Sequence, residues 1–178
     1  MTKQLSAEEI VSSFTDAFKN KITHARVEKH LAGTKKNEIV HIWMNVDNSV
    51  FKDAVKHLTT LEKYPHFAVT SGYDLKDSIY LVYSFSIYYG QRFKEISINM
   101  TVSLPKTKPE IESICDIIPG ALISEQEKQE MLGVIVKNIP KDKRAFISDD
   151  FPKGVYPWRR DETQPDKKTV RNLHEVKK

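Results

Sequence analysis

Apolar residues recur along this chain in two periods, and the switches between them outline the elements. Ile10, Val11, Phe14, Ala17 and Phe18 fall three and four apart, the stripe of an amphipathic helix. Ser6-Ala7-Glu8-Glu9 precedes them as a capping box, in which Ser6 and Glu9 satisfy each other's free N–H groups. The helix is expected to stop near Lys19–Lys21, where positive charge meets the negative end of its dipole. Alternation then takes over. Ile22 to Ala32 reads as an edge strand, residues 33–37 as a hairpin loop, and Glu38 to Val46 as a central strand with apolar residues on both faces. Asp47 or Asn48 is set to cap a second helix whose stripe is Val50, Phe51, Ala54, Val55, Leu58 and Leu61. His57 falls beside that stripe and reads as a boundary residue.

Three more strands follow. Pro65 opens one through His66–Ser71, and Gly72-Tyr73-Asp74 reads as a turn. Ser78 to Tyr89 is a long aromatic strand, and Phe93 to Leu104 has the cleanest alternation in the chain. Its polar face predicts that one side of the sheet meets water. Pro105 and Pro109 end the sheet. Pro109-Glu110-Ile111-Glu112 reads as a helix start, with proline first and acids in the first turn. The order predicts an α+β fold with two layers: a mixed sheet of about five strands covered by two helices, then short C-terminal helices and an extended tail.

A chain of 178 residues has room for one real core. Its net charge of +4 is unevenly spread. Residues 1–136 hold 16 basic and 17 acidic side chains, whereas residues 137–178 hold 12 and 7. We therefore divide the chain into a neutral body, 1–136, and a basic arm, 137–178. Such an arm suits nucleic acid, an anionic membrane face or an acidic protein surface, and the neutral body argues against a broad nucleic-acid footprint. Cys115 is the single cysteine, so neither an internal disulfide nor an iron–sulfur cluster is expected within the chain. Met1–Ser6 lacks the apolar segment of a signal peptide, and no apolar run approaches the ~20 residues that cross a bilayer.

No phosphate loop, metal-spaced His pair or nucleophile–base arrangement stands out, so no catalytic, cofactor-binding or metal residue is expected. What remains distinctive is Ile114–Asp161. Ser124 and Glu127 read as a second capping box, and Gly133 as a left-handed C-cap, giving a helix from Ser124 to Gly133. The Glu125 and Glu127 carboxylates serve that helix start; an acid/base pair is the sharper alternative. Beyond it, Lys137–Arg144, Phe151-Pro152 and Tyr156–Arg160 alternate apolar anchors with positive charge, an irregular stretch expected to lie on another molecule. Glu162–Lys178 is expected to be solvated.

Residues 121–134, ALISEQEKQEMLGV, resemble the A-x-W-x-E-R-E-x-x-D-M-x-G-I signature of the 30 kDa subunit of complex I-type NADH:quinone oxidoreductases and related membrane-bound [NiFe] hydrogenases. Tyr156–Asp161 is similar to that family's P-L-R-K-D ending. Ile123, Gln126 and Glu130 stand where the family has Trp, Arg and Asp, which points toward the hydrogenase-like relatives. The resemblance implies a cofactor-free assembly subunit, docked on a catalytic large subunit and iron–sulfur small subunits that hold the [NiFe] centre and clusters. It implies a ferredoxin-linked hydrogenase coupled to ion translocation, with an NADH/quinone or sulfur-reducing relative as the alternative. It also implies a peripheral place on the cytoplasmic side of the membrane, held by partners, and no activity of the chain alone. Glu125, Glu127, Glu130, Gly133, Phe151, Pro157, Trp158, Arg159 and Arg160 are the expected partner-binding residues. A nucleic-acid module using the basic arm is the alternative of another class.

Overall fold

The computed structural model describes residues 4–140, 143–166 and 169. Helix α1, Ala7–Phe18, starts at Ser6, whose hydroxyl accepts from Glu9 N–H while the Glu9 carboxylate accepts from Ser6 N–H. Its stripe buries Ile10 and Phe14. A short 3-10 turn, Lys19–Lys21, hands the chain to β1, Ile22–Ala32, which forms a hairpin with β2, Asn37–Val46. Asp47 caps the next turn by accepting from Ser49 N–H, and α2, Phe51–Leu61, follows. Strands β3, His66–Asp74, β4, Ser78–Ile87, and β5, Ile96–Pro105, complete the main sheet.

The sheet order is β1-β2-β5-β4-β3. β2 and β5 run parallel at its centre and the other neighbours run antiparallel, so the sheet is mixed as expected. One face is apolar: Ile79, Leu81, Tyr83, Phe85 and Ile87 of β4 are fully buried. The Tyr83 ring meets Phe51 of α2 at 4.5 Å between centroids. α1 packs on α2 through Phe14 and His57, 4.9 Å apart and edge-on. His57 bonds Ser13, and burial holds its pKa below the usual histidine value, as suits a boundary residue. The opposite face carries Trp43, Tyr80, Val82 and Thr101 half exposed, so one side of the sheet is open to solvent.

Three expectations need correcting. Gly72-Tyr73-Asp74 does not turn; β3 runs through it, and the turn comes after Asp74, closed by Leu75 N–H to the Ser78 carbonyl. Gly72 instead marks a close approach, since a Cβ there would lie 2.6 Å from Leu132 Cδ1 of the C-terminal helix. Pro109–Glu112 does not start a helix. Glu110–Glu112 is strand β6, paired in parallel with β7, Ile135–Lys137. Glu-Ile-Glu alternates as well as it caps, and pairing decides: Ile111 is buried opposite Val136, while Glu110 meets Lys137 at 2.6 Å. Finally, the last helix does not begin at Ser124. A 3-10 turn, Pro119–Ala121, leads directly into α3, Leu122–Leu132, which starts without a side-chain cap.

Candidate functional site

Helix α3 lies against β3, and its inner surface is polar. Glu125, Gln126 and Lys128 are buried along with Leu132. Each polar group has a specific reason to be there. Glu125 is fully buried, and its carboxylate accepts from the Ser113 hydroxyl at 2.6 Å, Ile114 N–H at 3.1 Å, the Cys115 thiol at 3.2 Å and the Tyr83 hydroxyl at 3.5 Å. These donors partly offset its desolvation, but burial still raises its pKa. Burial likewise lifts the Cys115 thiol to about 11, which keeps it protonated as a donor to Glu125. Tyr83 is pushed well above the ordinary phenol range by burial, then by Glu125.

Ser124 is the third residue of α3, and its hydroxyl accepts from Thr70 N–H of β3 at 3.1 Å. It fastens helix to sheet instead of capping. Glu127 pairs with its neighbour Lys128, whose ammonium also lies 4.7 Å from the centre of the Trp158 ring. Lys128 is 2% exposed, so ion pair and aromatic face together shelter the charge.

The arm lies back on this surface. Glu130 accepts from three successive N–H groups, Ala145 at 2.5 Å, Phe146 at 2.9 Å and Ile147 at 2.7 Å. The amide of Gln126 donates to the Lys143 carbonyl. Gly133 ends α3 at φ 68°, the left-handed cap expected of it, with its N–H donated to the Gln129 carbonyl. The Tyr156 ring presses on it so closely that a Cβ would lie 2.6 Å from that ring. Trp158 N–H donates to the Met131 carbonyl at 2.9 Å, and Arg160 N–H to Asp74 Oδ2 at 2.7 Å. Lys106 bridges Asp74 at 2.6 Å and Asp161 at 3.1 Å. The Thr163 hydroxyl and N–H, with Lys106, hold the Asp161 pKa down to about 2.

The structure therefore brings Glu127, Glu130, Gly133, Trp158 and Arg159 into one surface and places Glu125 beneath it. Arg159 is buried over Tyr156, 3.7 Å from Asp161, rather than projecting. Trp158 and Arg160 are exposed, and Phe151 and Pro157 are half exposed. Sequence reasoning missed Thr70, Lys106 and Ser113, which hold α3 and the arm, and took Asp74 only for a turn residue. Their only signal was polarity, within β3 at Thr70 and just past strand ends at Lys106 and Ser113, which is common along any chain. Most of the last residues expected to be solvated lie outside the described residues. Among the described residues no group of three His, Cys, Asp or Glu is placed to hold a metal, and no helix is long and apolar enough to cross a membrane.

Residues 44–168 match the family described as the respiratory-chain NADH dehydrogenase 30 kDa subunit. The membrane-bound hydrogenase subunit beta of Pyrococcus furiosus is 28% identical over 131 residues, covering 74% of this chain and 75% of that one. One subunit of the F(420)H(2) dehydrogenase of Methanosarcina mazei is 28% identical over 171 residues, covering 95% and 99%. Among solved structures, a chain of the membrane-bound sulfane sulfur reductase, an archaeal respiratory complex, superposes with TM-score 0.64 at 19% identity, covering 85% of this chain and 82% of that one. A trypsin-resistant fragment of Nqo5 gives 0.57 at 17%, covering 76% and 99%. At such identity these two establish the shared fold.

Proposed function

The chain belongs to the 30 kDa subunit family of respiratory-chain NADH dehydrogenases, and on that footing we propose that it is a scaffold subunit of a complex I-like, membrane-bound redox assembly. It carries no redox centre of its own. It docks on the catalytic large subunit, with iron–sulfur small subunits nearby, and those partners hold the [NiFe] centre and the clusters. They also hold the chain at the cytoplasmic side of the membrane. The reaction we assign to the assembly is hydrogen production from a ferredoxin-type donor, coupled to ion translocation. Two features favour this choice: the departures at Ile123, Gln126 and Glu130, and the similarity to a membrane-bound hydrogenase subunit.

The observation that carries the docking surface is the exposed side of α3 and the arm. The arm is fastened by its backbone and by buried charges, which leaves Trp158 and Arg160 outward, with Ile123, Ile135 and Phe146 also exposed. Large apolar side chains beside an outward arginine are what a partner's pockets and carboxylates recognise. Body 1–136 supplies the platform and, through the outer face of α3, part of the contact; arm 137–178 supplies the rest.

Co-expression with the other members of its own assembly tests this. Trp158→Ala with Arg160→Glu is expected to weaken retention of the large subunit at least about tenfold. Undiminished retention by a chain truncated after Pro140 overturns the interface. Sulfide instead of hydrogen from the purified assembly reassigns the reaction and leaves the scaffold role standing.

A further inference from the structure

At the end of the sheet away from the arm, three large aromatic side chains stand uncovered. Tyr64 follows α2, and Tyr89 and Phe93 lie in the loop between β4 and β5; they are 78%, 60% and 59% exposed. Two of them share one place. The His66 ring at the start of β3 stacks on Tyr89 at 4.0 Å and 17°, and Tyr64, His66 and Tyr89 line one open cavity of about 430 Å³. The loop itself is held in an unusual shape. Tyr88, Gly90 and Phe93 all have left-handed backbones, at φ 57°, 77° and 61°. Tyr88 is pinned there because its phenol oxygen accepts Leu5 N–H at 2.8 Å. Strain of this kind persists where the surroundings enforce it, and it commonly accompanies a functional surface.

The patch carries cations on its rings. Lys63 Nζ lies 5.2 Å from the Tyr64 ring centre, and the Arg92 guanidinium 4.8 Å from that of Phe93. The nine residues of β3, roughly 30 Å at 3.3 Å per residue, separate it from Asp74, where the arm is fastened.

We propose that this end is a second protein interface, for another member of the same assembly whose surface presents carboxylates among apolar residues. The proposal rests on the scaffold role argued above. Exposed aromatic rings bearing guanidinium and ammonium groups match such a surface in both shape and charge. Glu62 also lines the cavity, so cations and an anion alternate around the rings; a protein surface that pairs charges singly fits this better than the uniform charge of a phosphate backbone. The chain thus bridges two neighbours, one at each end of its sheet.

The test uses the whole assembly, expressed with a tag on this chain. Tyr64→Ser, Tyr89→Ser and Phe93→Ser are combined; all three side chains are exposed, and an unchanged thermal transition confirms the fold. The expected result is at least about tenfold weaker retention of one partner, with the arm's partner kept. Retention of every partner at the wild-type level overturns this inference alone. A wild-type chain that retains no partner overturns it together with the scaffold role. Binding of a single-stranded oligonucleotide by the free chain, abolished in the triple variant, overturns it in favour of nucleic acid.

Discussion

Helices α1 and α3 are almost the same length, twelve residues against eleven, yet they are held in place by different physics. α1 has a capping box and an apolar stripe, and its buried residues are Ala7, Ile10 and Phe14. α3 has no side-chain cap, and three of its four buried residues are polar. Apolar burial is non-directional, so α1 rests on α2 mainly through packing, with the Ser13–His57 hydrogen bond beside it. Buried hydrogen bonds are directional, and each lost partner exposes another group to an apolar interior. α3 is therefore fixed in register by Ser113, Ile114, Cys115 and Thr70, which is what a helix carrying a docking surface requires.

That contrast can be broken from either side. The largest loss is expected from Phe14→Ala, about 4 kcal/mol in urea unfolding, because it empties a fully buried ring site. Glu125→Ala should follow at about 3 kcal/mol, since it strands the Ser113 hydroxyl, Ile114 N–H and Cys115 thiol. Glu125→Gln, which keeps an acceptor, should recover much of that loss; equal destabilisation by both variants would show that α3 is held by something other than these donors. Gly133→Ala should cost about 2 kcal/mol, because it forces a Cβ into a left-handed position against Tyr156. It should also make residues 143–166 cleavable in limited proteolysis before the core unfolds. Ser6→Ala, which removes only a cap, should cost about 1 kcal/mol.

The smallest effect is a pH dependence of opposite sign at the two places. The Asp161 pKa is lowered from 3.8 to about 2, so its contribution to holding the arm is present above about pH 4 and lost as pH falls through 2. The Glu125 pKa is raised above 4.5, so its ionisation opposes folding as pH rises through and beyond that value. Proteolysis of the arm and unfolding of the core, followed together from about pH 6 to 2, should separate the two. Identical profiles would mean that arm and core respond as one unit.

The elements legible in the sequence are those whose pattern and packing agree. α1, α2 and the two central strands were marked by periods that burial then used. α3 existed in the sequence, but its start did not, because its inner face is polar and Ser124 serves the sheet instead of the helix end. β6 was hidden because Pro-Glu-Ile-Glu satisfies a helix start and an alternating strand equally, and only Val136 and Lys137, some 25 residues on, break the tie. The arm was legible as a distinct composition but not as a strap. Its fastenings are backbone N–H groups donated to Asp74 and Glu130 and to the Met131 carbonyl, and backbone donors have no sequence signature.

The parallel pairing of β2 with β5 also bears on how the chain acquires its shape. β1 with β2, and β3 with β4, are hairpins whose partners are close in sequence, and each is able to form early. β5 fills the gap between β2 and β4, so until residues 96–105 leave the ribosome both strands present bare, adhesive edges. Synthesis thus passes through an interval of vulnerability to aggregation that a single late strand closes.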